Sequence, residues 1–162
     1  MGDIRHALPG DLDVLTTIEA ASYPPAEGAS KKSIRERLAH FSDCFWLLEN
    51  EEREIVAFIN GMLTNKTDLT DEMYDHPELH RENGRWLMIF SVVTHPRYRG
   101  QGYASRVMER VIEDMRGQKR SGIVLTCKEG LLPFYARFGF VNEGISASTH
   151  GDVTWYQVRL TF

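Results

Sequence analysis

The chain has 162 residues and a mass of 18.6 kDa, the size of one domain with one hydrophobic core. Its 42% hydrophobic and 26% charged residues are typical of a globular protein and exclude a disordered, collagenous or disulfide-scaffold chain. The 19 Lys and Arg and 23 Asp and Glu residues give a net charge of -4, so no overall basic field would attract an anionic polymer or surface. We therefore expect neither nucleic acid nor a membrane as a partner.

No targeting or membrane-spanning segment is readable in the sequence. The start of the chain is charged from Asp3 onward, and the longest nearly continuous apolar run, Trp86 to Val93, is far shorter than the ~20 residues that cross a bilayer. Cys44 and Cys127 are far apart in apolar segments, a spacing that fits neither a metal site nor a disulfide framework. We expect a soluble cytoplasmic protein with two buried free thiols and no metal.

The first part of the chain predicts one short strand and two helices. Alternating apolar residues over 4–8 indicate the strand. A helix follows with Asp11 as its N-cap, and it ends at the rigid segment Tyr23-Pro24-Pro25. Ser30 is the expected cap of a second, amphipathic helix, whose basic residues, Arg37 among them, we place on a solvated face.

The middle of the chain predicts a hairpin, a loop and a central strand. Cys44 to Leu48 and Ile55 to Leu63 are apolar runs on either side of a polar turn, which indicates two antiparallel strands. Thr64 to Arg85 is polar and predicts a long surface loop with about one helical turn. Trp86 to Thr94 is apolar on both faces, as a central strand is.

The last part of the chain alternates helices with strands. From Gly102 to Met115 apolar residues recur with the i, i+3, i+4 spacing of an amphipathic helix. We expect a strand over Gly122 to Cys127, a short helix over Leu131 to Phe138, and strands from Phe140 and over Thr154 to Leu160. Strands that pair as hairpins early in the chain, followed by strands that alternate with helices later, together predict a single α/β domain with a mixed sheet.

A glycine loop, Gly100-Gln101-Gly102, lies between the predicted central strand and the most regular predicted helix. In that position backbone N–H groups and the positive end of the helix dipole can hold a phosphate. The loop lacks the Lys-Ser/Thr of a nucleotide-hydrolysing P-loop. It also fails the dinucleotide-binding fingerprint, because Ser105 stands where that fingerprint has its third Gly or Ala. Glycine spacing alone leaves tight packing as an equal alternative to anion binding.

Two segments resemble the GNAT acetyltransferase superfamily. The segment Val92 to Ala104 is similar to its acetyl-CoA motif, Gln/Arg-x-x-Gly-x-Gly/Ala, which Arg99, Gly102 and Ala104 match. The segment Cys127 to Phe140 resembles the closing motif, and its Leu-x-Pro-Phe-Tyr form is similar to the arylalkylamine, or serotonin-type, branch. The resemblance implies a GNAT-like fold, a partly splayed mixed sheet flanked by helices, with residues 1–162 as one acetyl-CoA-dependent N-acetyltransferase domain.

The resemblance also implies how acetyl-CoA, the expected cosubstrate, is bound. The backbone of Val92, Val93 and Thr94 is expected to hydrogen bond to the pantetheine arm. The family tyrosine that lies near the coenzyme sulfur and helps the thiolate to leave corresponds to Tyr135, which without the motif would be read as a packed aromatic residue. The loop expected to hold the pyrophosphate consists of Arg99, Gly100, Gln101, Gly102, Tyr103, Ala104 and Ser105.

One feature departs from the animal arylalkylamine branch. Its two proton-accepting histidines correspond to Met88 and Phe90, which cannot accept a proton. Glu129, His80 or a water chain remain as candidate bases, although either side chain alone is more simply read as a solvated polar residue. Met88 and Phe90, if they are not core residues, could line an apolar acceptor pocket together with residues of the first interhelical loop, namely Tyr23, Pro24 and Pro25.

The resemblance thus predicts an enzyme, a monomer or a homodimer, that transfers the acetyl group of acetyl-CoA to a small primary amine. An arylalkylamine or a polyamine is the expected acceptor, and it attacks the thioester directly in a ternary complex. Two alternatives stay open: acetylation of a protein N-terminus or lysine, and a non-catalytic module that binds acyl-CoA.

Overall fold

The computed structural model describes residues 2–148 and 150–162. Its centre is one seven-stranded sheet with the strand order β1-β2-β3-β4-β5-β7-β6. The strands are β1 (Asp3–Arg5), β2 (Phe45–Glu49), β3 (Ile55–Thr64), β4 (Trp86–Thr94), β5 (Gly122–Cys127), β6 (Val141–Ile145) and β7 (Tyr156–Thr161).

Five α-helices accompany the sheet in the described part of the chain. Two of them precede the β2–β3 hairpin, a single turn lies in the loop before β4, and the longest helix directly follows the glycine loop. They are α1 (Leu12–Ser22), α2 (Lys31–Phe41), α3 (Asp71–Asp75), α4 (Tyr103–Gly117) and α5 (Leu132–Ala136). The α/β class, the mixed sheet and the positions of its central elements are as the sequence predicts.

The sheet is mixed because one neighbouring pair, β4 and β5, is parallel and the others are antiparallel. The parallel pairing joins Trp86–Ile89 to Gly122–Leu125 and stops there. Beyond that point β5 continues to pair with β7 through Thr126 and Cys127, whereas β4 continues to pair with β3. The two central strands therefore separate at their carboxyl ends, as the splayed sheet of the resemblance requires.

The two faces of the sheet are covered by different helices. Trp46 in β2 donates its indole N–H to Asp114 of α4 over 2.8 Å, so α4 covers the face on which Trp46 lies. Its neighbour Phe45 pairs with Asn60, whose side chain bonds to Arg37 of α2. Because successive side chains on a strand point to opposite faces, α2 covers the other face. The core therefore lies on both sides of the sheet.

The start of α1 differs from the prediction. The side chain of Asp11 does not cap α1; it accepts the backbone N–H of Leu8 and forms two hydrogen bonds, of 2.8 and 2.9 Å, with Arg5. The guanidinium of Arg5 competes for the carboxylate and holds it before the helix. Strand β1 ends at Arg5, earlier than the strand predicted over 4–8. Ser30, in contrast, caps α2 as predicted by accepting the N–H of Ser33.

The prediction for Arg37 is wrong. Its side chain is only 3% exposed and lies inside the protein instead of on a solvated face. The reason is the position of Arg37 on the helix, because Ile34, Arg37, Leu38 and Phe41 follow the i, i+3, i+4, i+7 spacing of one buried stripe.

Cys44 and Cys127 are both buried, free thiols, as the sequence predicts. Within residues 2–148 and 150–162, no helix has the length and apolar character to cross a bilayer. Over the same ranges, no three His, Cys, Asp or Glu side chains are grouped as metal ligands.

Candidate active site

A cleft opens where β4 and β5 separate. Its volume is about 190 Å³, and it lies between the carboxyl-terminal halves of the two strands, where residues at the end of α1 and in α5 also line it. Ligands of open α/β sheets bind at such a separation of strands, because backbone groups there lack a neighbouring strand. The cleft is lined, among others, by Tyr23, Phe90, Ser91, Val92, Lys128 and Tyr135.

A β-bulge in β4 lies at the point of separation. Asn60 of β3 pairs with Ser91 and Gly61 pairs with Ile89, so Phe90 has no partner and is the additional residue of the bulge. The close approach of the strands requires glycine at position 61, since a Cβ there would lie 2.2 Å from the carbonyl oxygen of Met88. Bulges redirect side chains and backbone groups next to binding sites.

The glycine loop has the backbone conformation of an anion cradle. Gly100 and Gly102 have φ values of +81° and +79°, which side-chain-bearing residues rarely adopt. A Cβ at either position would meet nothing within 4 Å, so these glycines are not required for tight packing. Gly102 is the N-cap of α4 and no side chain caps the helix, which leaves the N–H groups of its first turn available for an anion.

Arg99 lies beside this loop. Its Nε donates to the carbonyl oxygen of Thr94 over 3.4 Å, and its Nη2 lies 3.5 Å from the carbonyl oxygen of Ala21 at the end of α1. These contacts hold its charge at the carboxyl end of β4. Gln101, Tyr103, Ala104 and Ser105 continue from the loop into the first turn of α4, and the chain therefore places all predicted loop residues at one helix N-terminus.

Tyr135 lies on α5 and lines the cleft. Its ring is 5% exposed and packs edge-on against Phe134 and Phe140, at centroid distances of 5.0 and 5.8 Å. No group in the described part of the chain hydrogen bonds to its hydroxyl. Burial raises the pKa of Tyr135 well above its ordinary value, so the phenol stays protonated. Tyr135 therefore brings an uncommitted hydrogen-bond donor to the cleft.

The residues predicted to line an acceptor pocket lie in different places. Tyr23 lines the cleft, and its hydroxyl donates to the carbonyl oxygen of Val92 over 3.4 Å. Phe90 lines both the cleft and a second cavity, which also contacts Pro25. Pro24 is exposed, and Met88 is fully buried in the core; neither lines either cavity. Met88 is therefore a core residue, the more common fate of an apolar side chain on a central strand.

The second cavity, about 260 Å³, lies on the other side of Phe90. Three carboxylates, those of Glu19, Glu27 and Asp75, line it together with Arg37. Glu19 is 3% exposed and accepts the backbone N–H of Ala29 over 2.9 Å. Glu27 pairs with Lys128, which lines the first cleft, at 2.6 Å. Charged residues thus connect the two cavities around Phe90.

Sequence reasoning missed these charged residues, although one signal was available. Leu15, Ile18 and Glu19 have the i, i+3, i+4 spacing of the buried stripe of α1, as Arg37 has in α2. A charged residue on an apolar helix face is expensive to bury, so its presence there indicates a specific use.

The two candidate bases do not line the cleft or the second cavity. His80 accepts the backbone N–H of Leu63 at Nδ1 over 3.1 Å, and its Nε2 lies 2.8 Å from a carboxylate oxygen of Glu82. Both ring nitrogens of His80 are therefore engaged elsewhere. Glu129 is exposed to solvent.

Comparison with known proteins identifies the family. The model of the Acetyltransferase (GNAT) family matches residues 12–140. The chain belongs to this family. It is also 36% identical, over 110 residues, to a protein named Serotonin N-acetyltransferase from Mesocricetus auratus, a match that covers 67% of this chain and 52% of that protein. The chain thus spans about half the length of the curated relative, and the similarity supports the predicted arylalkylamine branch of the GNAT family.

Solved structures agree with the GNAT fold. The loading GNATL domain of CurA from Lyngbya majuscula superposes with a TM-score of 0.84 at 16% identity, covering 99% of this chain and 98% of that one. A ribosomal-protein-S18-alanine N-acetyltransferase from Escherichia coli superposes with a TM-score of 0.73 at 16% identity, covering 99% of this chain and 94% of that one. At these identities the likeness extends to the fold of the GNAT domain alone.

Proposed function

We propose that residues 1–162 form an acetyl-CoA-dependent domain that transfers the acetyl group to a small primary amine, an arylalkylamine or a polyamine. The position of Tyr135 carries this proposal. Its protonated, unpaired hydroxyl lies in the cleft that begins at the β-bulge. An acyl-transfer site needs a donor for the leaving group close to the polarised carbonyl.

The coenzyme would occupy the edge of the sheet from the glycine loop to the cleft. The loop at Gly100 and Gly102, followed by the uncapped first turn of α4, suits the pyrophosphate. Over Val92, Val93 and Thr94 one side of β4 has no neighbouring strand, and its backbone groups would bind the amide-rich pantetheine arm. Two carbonyl oxygens of this segment, those of Val92 and Thr94, also accept long hydrogen bonds from Tyr23 and Arg99. When bound, acetyl-CoA would supply the activated acetyl thioester.

The transfer requires three changes of bonding. The neutral amine nitrogen attacks the carbonyl carbon and later loses one proton to solvent, while the carbonyl oxygen becomes an oxyanion. Backbone N–H groups near Phe90 would stabilise this charge, a contribution of about 3 to 4 kcal/mol per donor in comparable sites. The C–S bond then breaks, and Tyr135 donates a proton or hydrogen bond to the departing sulfur.

The acceptor would enter from the second cavity, past Phe90. The carboxylates of Glu19, Glu27 and Asp75 outnumber the two cations beside them, Arg37 and the Lys128 that pairs with Glu27, and this excess of negative charge favours a cationic amine over an anionic acceptor. The volume of about 260 Å³ suits a small molecule. The acceptor is therefore proposed as a small amine rather than a protein chain.

Thiol release from acetyl-CoA tests the proposal with a panel of acceptors. The panel contains tryptamine, spermidine, 1-pentanol as a neutral control, and peptides with a free N-terminus or a lysine. We expect release with tryptamine or spermidine and none with the alcohol. Release with peptides alone would replace the proposal by protein acetylation. Calorimetric binding of acetyl-CoA without release for any acceptor would support a binding module instead.

A further inference from the structure

Three polar side chains form a buried hydrogen-bonded chain beside the bulge, on the face of the sheet that α2 covers. Arg37 of α2 donates from Nη1 to the amide oxygen of Asn60 over 3.0 Å, and the amide nitrogen of Asn60 donates to the hydroxyl oxygen of Ser91. Arg37 also donates from Nη2 to the carbonyl oxygen of Tyr74 over 3.2 Å. The three residues are at most 4% exposed, in the middle of an apolar core.

The polar chain Arg37-Asn60-Ser91 involves two consecutive residues of β4. Ser91 is bonded to Asn60, and the ring of Phe90 lies under the guanidinium of Arg37 at 4.6 Å. In a regular strand consecutive side chains point to opposite faces, so one cluster on one face could not hold both. The bulge removes this restriction because it adds one residue between paired positions. The polar chain is thus complementary to the bulged strand and not to a regular one.

The polar chain is not required to fill the core. A buried guanidinium loses its hydration, and apolar residues of similar volume often give equal or better stability in such positions. Apolar residues would, however, pack against a regular strand and a bulged strand with little discrimination. Directional hydrogen bonds discriminate between registers, as single buried polar residues do in coiled coils.

We propose that Arg37, Asn60 and Ser91 are positioning residues that fix the bulge at Phe90 and thereby orient the backbone N–H groups that receive the thioester oxygen. This inference rests on the proposed acetyl transfer. Asn60 does not line the cleft, so it acts through Ser91 and the backbone of β4 and does not touch the substrate. A donor that is turned away from the oxyanion loses most of its contribution to the rate.

The test is the infrared carbonyl frequency of bound acetyl-CoA that carries ¹³C at the thioester carbon. In the wild-type protein, we expect hydrogen bonding to lower this frequency relative to free acetyl-CoA. Asn60→Leu interrupts the hydrogen bonds of the polar chain, and the variant should lose about half of that frequency shift or more. Its rate constant for the chemical step should fall by a factor of about 10 to 10³ with a nearly unchanged KM for the amine.

Three further variants separate positioning from general damage. Asn60→Leu removes one hydrogen-bond partner of the buried Arg37 guanidinium, which keeps its bond to the carbonyl oxygen of Tyr74, and the variant can fail to fold. In that case Ser91→Ala, which removes one bond and little volume, decides the question. Asn60→Asp can accept hydrogen bonds from both Arg37 and Ser91, and it should rescue the shift. Trp46→Phe removes a part-buried hydrogen bond between the sheet and α4, on the opposite face, and should lower stability while the shift and the rate stay as in the wild type.

The outcomes distinguish this inference from the function on which it rests. Folded Ser91→Ala and Asn60→Leu proteins with the wild-type frequency and rate would overturn the positioning role and leave acetyl transfer intact. A wild-type protein that neither shifts the carbonyl frequency nor releases thiol would overturn both.

Discussion

Replacement of Gly102 by aspartate tests whether the glycine loop binds the coenzyme pyrophosphate. A Cβ at this position meets nothing within 4 Å, so the aspartate has room. The φ of +79° costs a side-chain-bearing residue about 1 kcal/mol, less for Asp and Asn than for most. Gly102→Asn carries the same strain without the charge and is therefore the matched control.

The difference between the two variants isolates the electrostatic effect. A carboxylate about 5 Å from one phosphate charge is repelled by roughly 1 to 3 kcal/mol, for effective dielectric constants between about 80 and 20. Acetyl-CoA should therefore bind to Gly102→Asp about 5 to 150 times more weakly than to Gly102→Asn. Isothermal calorimetry at low and high salt measures this ratio, which should decrease as salt screens the charges. Equal affinities at low salt would show that no anion binds at this loop.

Three further predictions concern Tyr135 and Asp11. Tyr135→Phe should lower the single-turnover rate by a factor of about 10² to 10⁴ while the affinity for acetyl-CoA and the melting temperature change little; a wild-type rate would remove Tyr135 from the site. Because burial raises the pKa of Tyr135, the wild-type single-turnover rate should not decrease between pH 7 and about pH 9.5, and it should increase as more amine becomes neutral; a loss of rate in this range would contradict a protonated phenol. The bond to Arg5 lowers the pKa of Asp11, so this carboxylate stabilises the fold above the pKa of the unfolded chain, and the stabilisation disappears as pH falls through the folded pKa. Asp11→Asn should therefore unfold about 1 kcal/mol more easily at pH 7 by urea titration, and the deficit should shrink below about pH 4; a constant deficit would point to a cause other than charge.

The repeating elements of the fold could be predicted from the sequence because their signals are local. The spacing of apolar residues predicted α4, and the nearly continuous apolar run over 86–94 predicted β4 with both of its bounds. The polar loop between β3 and β4 was equally readable, and so was its single helical turn, which the structure places at Asp71–Asp75. Each of these signals depends on residues fewer than about twenty positions apart.

The charged residues near the cleft were harder to predict because their environment depends on distant parts of the chain. Arg37 and Glu19 have polar side chains that a sequence pattern assigns to the surface, yet Asn60, Tyr74 and the backbone of Ala29 surround them. Their helical spacing identified the buried face, but only the three-dimensional structure supplies partners that are 10 to 37 residues away.

The bulge at Phe90 shows why the candidate cleft escapes pattern recognition. Its partners lie in β3 as well as in β4, because Gly61 permits the close approach to Met88 and Asn60 bonds to Ser91. Within β4 itself, the apolar run continues through position 90 without interruption. The run alone therefore predicts a regular strand. The bulge becomes visible only when the residue-by-residue pairing of β4 with β3 is known. The strongest test of the site therefore lies outside the cleft: a change at Asn60, which does not line the cleft, should alter the carbonyl frequency of a ligand bound within it.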